Sequence, residues 1–167
     1  MLSCSQLVKP DLLKRHKHNL VVHESDLPKG KGWSPMTWQV LEGLNEIPVT
    51  LFEAEDAVDS GQVYLQGKMQ LEGHELVDEL REMQAEVTLD LCRRFVREYP
   101  VIIQQAVFQS GVESYYCRRR PEDSRLDPYK TIAEQFNLLR VVDNERYPAF
   151  FDWKGRRYII RIEKQDN

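Results

Sequence analysis

A chain of 167 residues, 41% hydrophobic and 30% charged, has the make-up of a globular protein with one well-packed core, and none of its apolar runs nears the roughly 20 residues of a membrane span. A formal charge of −4 gives no broad attraction to phosphate backbones, which disfavours nucleic acid as a partner. Its three cysteines, Cys4, Cys92 and Cys117, fit neither a disulfide framework nor a zinc site, so a reducing, cytoplasmic setting is expected and no metal.

In chain order, the first eight residues read as the end of a strand, and Pro10 starts a short helix through Leu12 and Leu13. His18 to His23 is the next strand, β-rich at Val21 and Val22. The loop H-E-S-D-L-P-K-G-K-G follows, with Lys29 and Lys31 as two cations on a flexible backbone. Ser34 is the expected N-cap of a helix that has Pro35 in its first turn and stops at Gly43. Val49 to Glu53 and Gln62 to Leu71 read as strands on either side of V-D-S-G-Q-V, the segment containing Asp59. Leu76, Leu80, Met83, Val87, Leu91 and Phe95 recur at three- or four-residue intervals and predict a long amphipathic helix.

Beyond Tyr99, Val101 to Phe108 is expected to be a strand. The run Arg118-Arg119-Arg120 reads as solvated surface. Asp127-Pro128 is expected to cap a helix through Ile132, Phe136 and Leu139 to about Val142, and Ala149 to Ile162 forms a hairpin broken at Lys154-Gly155. His16, His18 and His74 are expected to face solvent.

His23 and Asp59 are the candidate acid/base pair. An imidazole suits proton transfer near neutral pH, and a carboxylate can orient it and stabilise its cation. The two are expected to meet across a cleft at the carboxyl ends of adjacent strands.

His23 to Gly32, Pro35, Val49 to Leu51 and Asp59 to Gly61 together resemble the formyltransferases that use 10-formyltetrahydrofolate, the family of methionyl-tRNA formyltransferase and the sugar N-formyltransferases. There a strand ends in Asn-x-His, a leucine-proline loop with glycine follows, and a D-x-G motif comes at the interval seen here. The resemblance implies an α/β fold: the C-terminal portion of a formyltransferase-type Rossmann-like domain over residues 1–110, with a small helix-plus-β-hairpin appendage over 111–167. Because the family's domain opens with further strands and helices, the sequence is expected to be truncated, with an open sheet edge beside Leu2 to Val8 that could also serve a homo-oligomer.

The implied activity is transfer of a formyl group from 10-formyltetrahydrofolate, without a metal, to an amine. A nucleotide-linked amino sugar is the expected acceptor; methionyl-tRNA, or an inactive fragment serving as a binding or assembly module, is the alternative. The implied catalytic residues are His23, Asp59 and Asn19. Asn19 is included because Val21 occupies the place of the family's asparagine, and residues 19, 21 and 23 share a strand face. Leu7, Val8, Glu55 and Asp56 are the implied folate contacts. Lys29, Asn137 and Arg140 are the implied acceptor contacts, the last two lying one helical turn apart.

Overall fold

A computed structural model describes Val8 and residues 10–165. The expected strand over residues 1–8, its open edge and the folate contact Leu7 lie outside the described residues, Val8 excepted. After the short helix α1 (Pro10–Leu13), the chain lays down β1 (Leu20–His23), then β2 (Lys31–Gly32), α2 (Pro35–Leu41), β3 (Glu46–Glu53) and β4 (Val63–Gln70). Strands β1, β3 and β4 form an antiparallel sheet in the order β1-β3-β4, with Val21 opposite Phe52 and His23 opposite Thr50.

Strand alternation divides this sheet into two unlike faces. Val22, Val49, Leu51 and Met69 point to the main core, where they meet Leu80, Leu91 and Phe95 of the helix α3 (Val77–Glu98) and Val40 of α2. That helix follows the predicted apolar spacing, begins with Asp78 and Glu79 in its first turn, and has the Glu79 carboxylate accepting the Leu76 N–H at 2.7 Å. The opposite sheet face carries Val21, His23, Thr50 and Phe52. There Val21, Leu27, Phe52 and Val63 form a small apolar cluster of their own. The loop over residues 24–32 crosses this second face, tied down where the Thr50 hydroxyl donates to the Ser25 carbonyl at 2.6 Å.

Ser34 holds the cap position of α2 but lies in the left-handed region (φ 49°), and its hydroxyl makes no capping bond. The expected strand over 101–108 is instead a helical turn, α4 (Val101–Gln104), with Ile102 buried in the main core and Gln105 N–H bonded to the Ile102 carbonyl. A strand would have alternated Val101 and Ile103 against Ile102, but the sheet edge accepts only Val107, which bridges Val63.

Residues 115–116 form β5, which pairs in parallel with β2. Asp127-Pro128 opens no long helix. Its carboxylate caps a turn at Tyr129 N–H, and Thr131 with Glu134 makes a reciprocal cap before a 3-10 turn (Ala133–Gln135) and the short α5 (Phe136–Arg140). The hairpin is as expected, β6 (Ala149–Trp153) against β7 (Arg156–Ile160). Leu126, Leu139, Val142 and Ala149 form a second small core beneath it.

An ion pair joins this C-terminal part to the rest. Arg140 is 1% exposed, and its guanidinium donates to the Glu75 carboxylate at 2.8 Å, the Glu75 carbonyl at 3.2 Å and the Asn137 side chain at 3.2 Å. Burial opposes ionisation of Glu75, but the N–H groups of Glu72 and Gly73 together with Arg140 outweigh it and hold the carboxyl below its ordinary value. Removing one partner strands a buried charge, so Arg140→Met is expected to cost about 3–5 kcal/mol in urea unfolding.

Asp143 is held at about 2 by Arg81 and the backbone of Arg146. Both carboxyls are depressed on folding, so each contributes stability above its unfolded value and loses it as pH falls through the folded one. The unfolding midpoint is therefore expected to drop on acidification from about pH 4.5 toward 2, and less steeply in Glu75→Gln.

Candidate active site

His23 and Asp59 come together on the same sheet face, though not from the ends of adjacent strands. His23 ends β1, whereas Asp59 lies within the loop joining β3 to β4, which folds back over the sheet. The His23 Nε2 and Asp59 Oδ2 atoms are 3.8 Å apart, and both side chains are largely buried. Nε2 donates to the Gly30 carbonyl at 2.9 Å; since a carbonyl can only accept, this nitrogen carries the proton. Asp59 Oδ2 accepts the Gly32 N–H at 3.0 Å. The loop after β1 therefore supplies one backbone group to each member of the pair. At 3.8 Å the imidazole and carboxylate are beyond hydrogen-bond reach, but a small closure would bring them into it.

Two close approaches fix the loops. A Cβ on Gly61 would lie 1.7 Å from the Glu53 carbonyl oxygen, so the D-x-G glycine lets the Asp59 loop fold against the end of β3. A Cβ on Gly32, where φ is +99°, would lie 2.5 Å from the Tyr116 carbonyl. Gly61→Ala is expected to cost about 1–3 kcal/mol in a thermal melt through overpacking.

Asn19 does not join the pair. Its amide donates to the Leu13 carbonyl at 2.9 Å, closing the end of α1, and its backbone N–H is taken by the Glu53 carboxylate. The position nearer His23 on that face is Val21, inside the apolar cluster with Leu27, Phe52 and Val63. Asn137 and Arg140 do share one helical face, but the Asn137 side-chain oxygen, half-buried, accepts from Arg140 itself. Arg140 is buried and spends its donors on Glu75, Asn137 and Asn45, which leaves no edge for a phosphate.

Lys29 is exposed, and among the described residues it has no ion-pair partner. Lys31 is not a second surface cation: it is 3% exposed and paired with Glu113 at 2.8 Å. Val8 is partly buried; Glu55 and Asp56 are exposed and line a shallow cleft of about 550 Å³ with Pro10, Leu13 and Lys14. His18, expected in solvent, is partly buried instead. Its Nδ1 is 3.2 Å from Glu53, and Tyr64, Phe95 and Tyr99 surround the ring. Arg119 is likewise drawn in, and burial lowers its pKa.

Sequence reasoning missed Gln109, whose amide donates to the carbonyls of both Asp59 (3.0 Å) and Gly61 (2.9 Å). It also missed the aromatic surround of the loop. Trp38 stacks on Tyr116, and burial, with a hydrogen bond to Glu42, pushes the Tyr116 phenol up to about 12. Arg118 lies over the exposed ring of Trp33. Among the described residues, no group of three or more His, Cys, Asp or Glu side chains is placed to hold a metal ion.

The formyl transferase family model matches residues 1–92, which span β1, the loop after it, and the loop containing Asp59. A methionyl-tRNA formyltransferase of Finegoldia magna is 30% identical over 100 residues, 59% of this chain and 32% of that protein. The chain thus spans about a third of the length of the curated relative it matches. Three solved structures share the fold. Methionyl-tRNA formyltransferase from Clostridium thermocellum has a TM-score of 0.81 at 20% identity, covering 99% of this chain and 71% of that one. A sugar N-formyltransferase from Shewanella sp. has 0.73 at 14%, covering 99% and 69%. HypX from Aquifex aeolicus with tetrahydrofolic acid has 0.74 at 16%, covering 96% and 28%. With more than half of its length matched to the family model, and its mixed α/β fold shared over nearly the whole chain, this protein belongs to the formyl transferase family.

Proposed function

We propose that this chain takes part in transferring a formyl group from 10-formyltetrahydrofolate to the amino group of a nucleotide-linked amino sugar. The observation that carries the reading is the meeting of His23 and Asp59 on one sheet face, with Gly32 N–H on the carboxylate. In this reading the acceptor nitrogen attacks the formyl carbon, a tetrahedral intermediate forms, and the bond from that carbon to the folate nitrogen breaks. The amine gives up one proton and the leaving nitrogen gains one. His23 is placed to move that proton, and the Asp59 carboxylate to stabilise the imidazolium formed on the way.

The tetrahydrofolic acid bound by HypX, which shares this fold, supports the choice of donor. The formal charge of −4 and the likeness to a sugar N-formyltransferase favour a small acceptor over tRNA. Exposed Lys29 is the remaining candidate for an acceptor phosphate. No helix of the described residues is long and apolar enough to cross a membrane, and a folate donor fits a cytoplasmic reaction.

Val21 favours a second reading, a binding or assembly module of the same fold without turnover, since an apolar side chain stands where the resemblance places the amide two residues before His23. Calorimetry of the chain with the folate, followed by transfer assays on amino-sugar nucleotides and on methionyl-tRNA, separates the readings. Folate binding with transfer to an amino sugar is expected. Transfer to methionyl-tRNA alone would replace the acceptor, and absence of folate binding would leave only the module.

A further inference from the structure

We infer that Gln109 is a positioning residue for Asp59, so that the active site is completed by a segment lying beyond the residues matched to the family model. The inference rests on the reading that Asp59 supports formyl transfer.

Asp59 occupies the left-handed region at φ 50°, which few residues other than glycine adopt and which aspartate is among those that tolerate. The carbonyls on both sides of Ser60 need donors. Gln109 provides both: its single amide nitrogen spans the turn, donating to Asp59 O at 3.0 Å and to Gly61 O at 2.9 Å. The segment bearing Gln109 is anchored to the sheet two residues earlier, where Val107 and Val63 exchange backbone hydrogen bonds at 2.8 and 3.0 Å. The amide therefore connects the start of β4 to the turn that bears the Asp59 carboxylate.

The other half of the same amide points to position, not stability, as its purpose. Gln109 Oε1 is buried and has no hydrogen-bond partner among the described residues. A buried acceptor without a donor is a cost that an apolar side chain would avoid. What the glutamine offers in return is control of the two carbonyls. With them held, Asp59 Oδ2 rests on Gly32 N–H and faces His23. If they are released, the turn is free to relax away from the left-handed conformation, and a misplacement of about 1 Å in a reacting constellation can cost on the order of 10²-fold in rate.

The test is a double-mutant cycle on the full chain, read by single-turnover transfer from 10-formyltetrahydrofolate. Gln109→Met, which removes the donors at similar size, is expected to lower the transfer rate by about 10- to 10²-fold with donor affinity unchanged within about threefold. In an Asp59→Asn background the same change is expected to cost less than about twofold, because the group it positions is already lost. Gln109→Glu keeps the shape while turning a carboxylate toward the two carbonyls, and should reproduce the loss if Gln109→Met folds poorly. Hydrogen exchange at the Gly32 amide gives a readout independent of turnover, and should quicken in both variants. Wild-type rates in Gln109→Met, an equal loss in both backgrounds, or unchanged Gly32 exchange would overturn the inference. An inactive wild-type chain would instead count against the proposed function, with Gly32 exchange still deciding the role of Gln109.

Discussion

Replacing His23 by alanine is expected to lower the single-turnover rate constant for formyl transfer by about 10²–10⁴-fold, and Asp59→Asn to follow it, with folate affinity nearly unchanged. The magnitude is that of a positioned proton-transfer group. Asp59 shares it because a carboxylate 3.8 Å from Nε2 stabilises the cation that His23 becomes in moving the proton. Binding is expected to be spared because neither side chain lines the cleft at Glu55 and Asp56, the folate contacts that the resemblance implies. Both substitutions also change the support of a backbone group, since His23 releases the Gly30 carbonyl and Asp59 weakens its hold on Gly32 N–H. Circular dichroism and folate titration on each variant separate that effect from chemistry. A variant that transfers at the wild-type rate removes its residue from the mechanism.

The second large effect runs the other way. Val21→Asn is expected to raise the transfer rate by about 10²–10³-fold, the range associated with one oxyanion-directed donor. Residue 21 faces the same side of the sheet as His23, two positions before it, which is the relation the Asn-x-His pattern sets up. The gain is opposed by packing: Val21 belongs to the apolar cluster with Leu27, Phe52 and Val63, and a polar amide there should cost about 1–3 kcal/mol of stability. Rate and melting temperature are therefore expected to move in opposite directions. A variant that is destabilised without becoming faster would show that Val21 does not limit the chemistry.

Much of the first half of the fold is legible in the sequence because each element carries its own local signal. The period of α3 lies in Leu80, Met83, Val87, Leu91 and Phe95, and the turn at Asp59 lies in Asp-Ser-Gly. The meeting of His23 and Asp59 could be anticipated from motif spacing, but the route by which they meet could not, because it depends on a loop folding back rather than on strand ends. Asn19 and Arg140 show where local reasoning stops. Asn19 has the right alternation for the site face, yet the Leu13 carbonyl at the end of α1 takes its amide. Arg140 has the right helical spacing, yet Glu75, distant in sequence, claims its guanidinium. Val101 to Phe108 reads as a strand because its composition is β-rich; whether an edge is open to receive it is a tertiary fact. Gln109 left no local signal at all, since its value lies in two carbonyls far back along the chain.

The short parallel pairing of β2 with β5 sets an order of events. The Gly30 N–H is held by the Ser114 hydroxyl 84 residues later, and Gly32 is packed against Tyr116. At synthesis rates of about 5–20 residues per second, that stretch takes on the order of 4–17 s to follow. During that interval a nascent chain can form the β1-β3-β4 sheet and α3, whose contacts are nearer in sequence, while the loop carrying the Gly30 carbonyl and Gly32 N–H lacks its strand partner. The site is thus among the last parts of the molecule to acquire its shape, and a chain halted before Tyr116 would have a folded sheet whose His23 and Asp59 are not yet held in register.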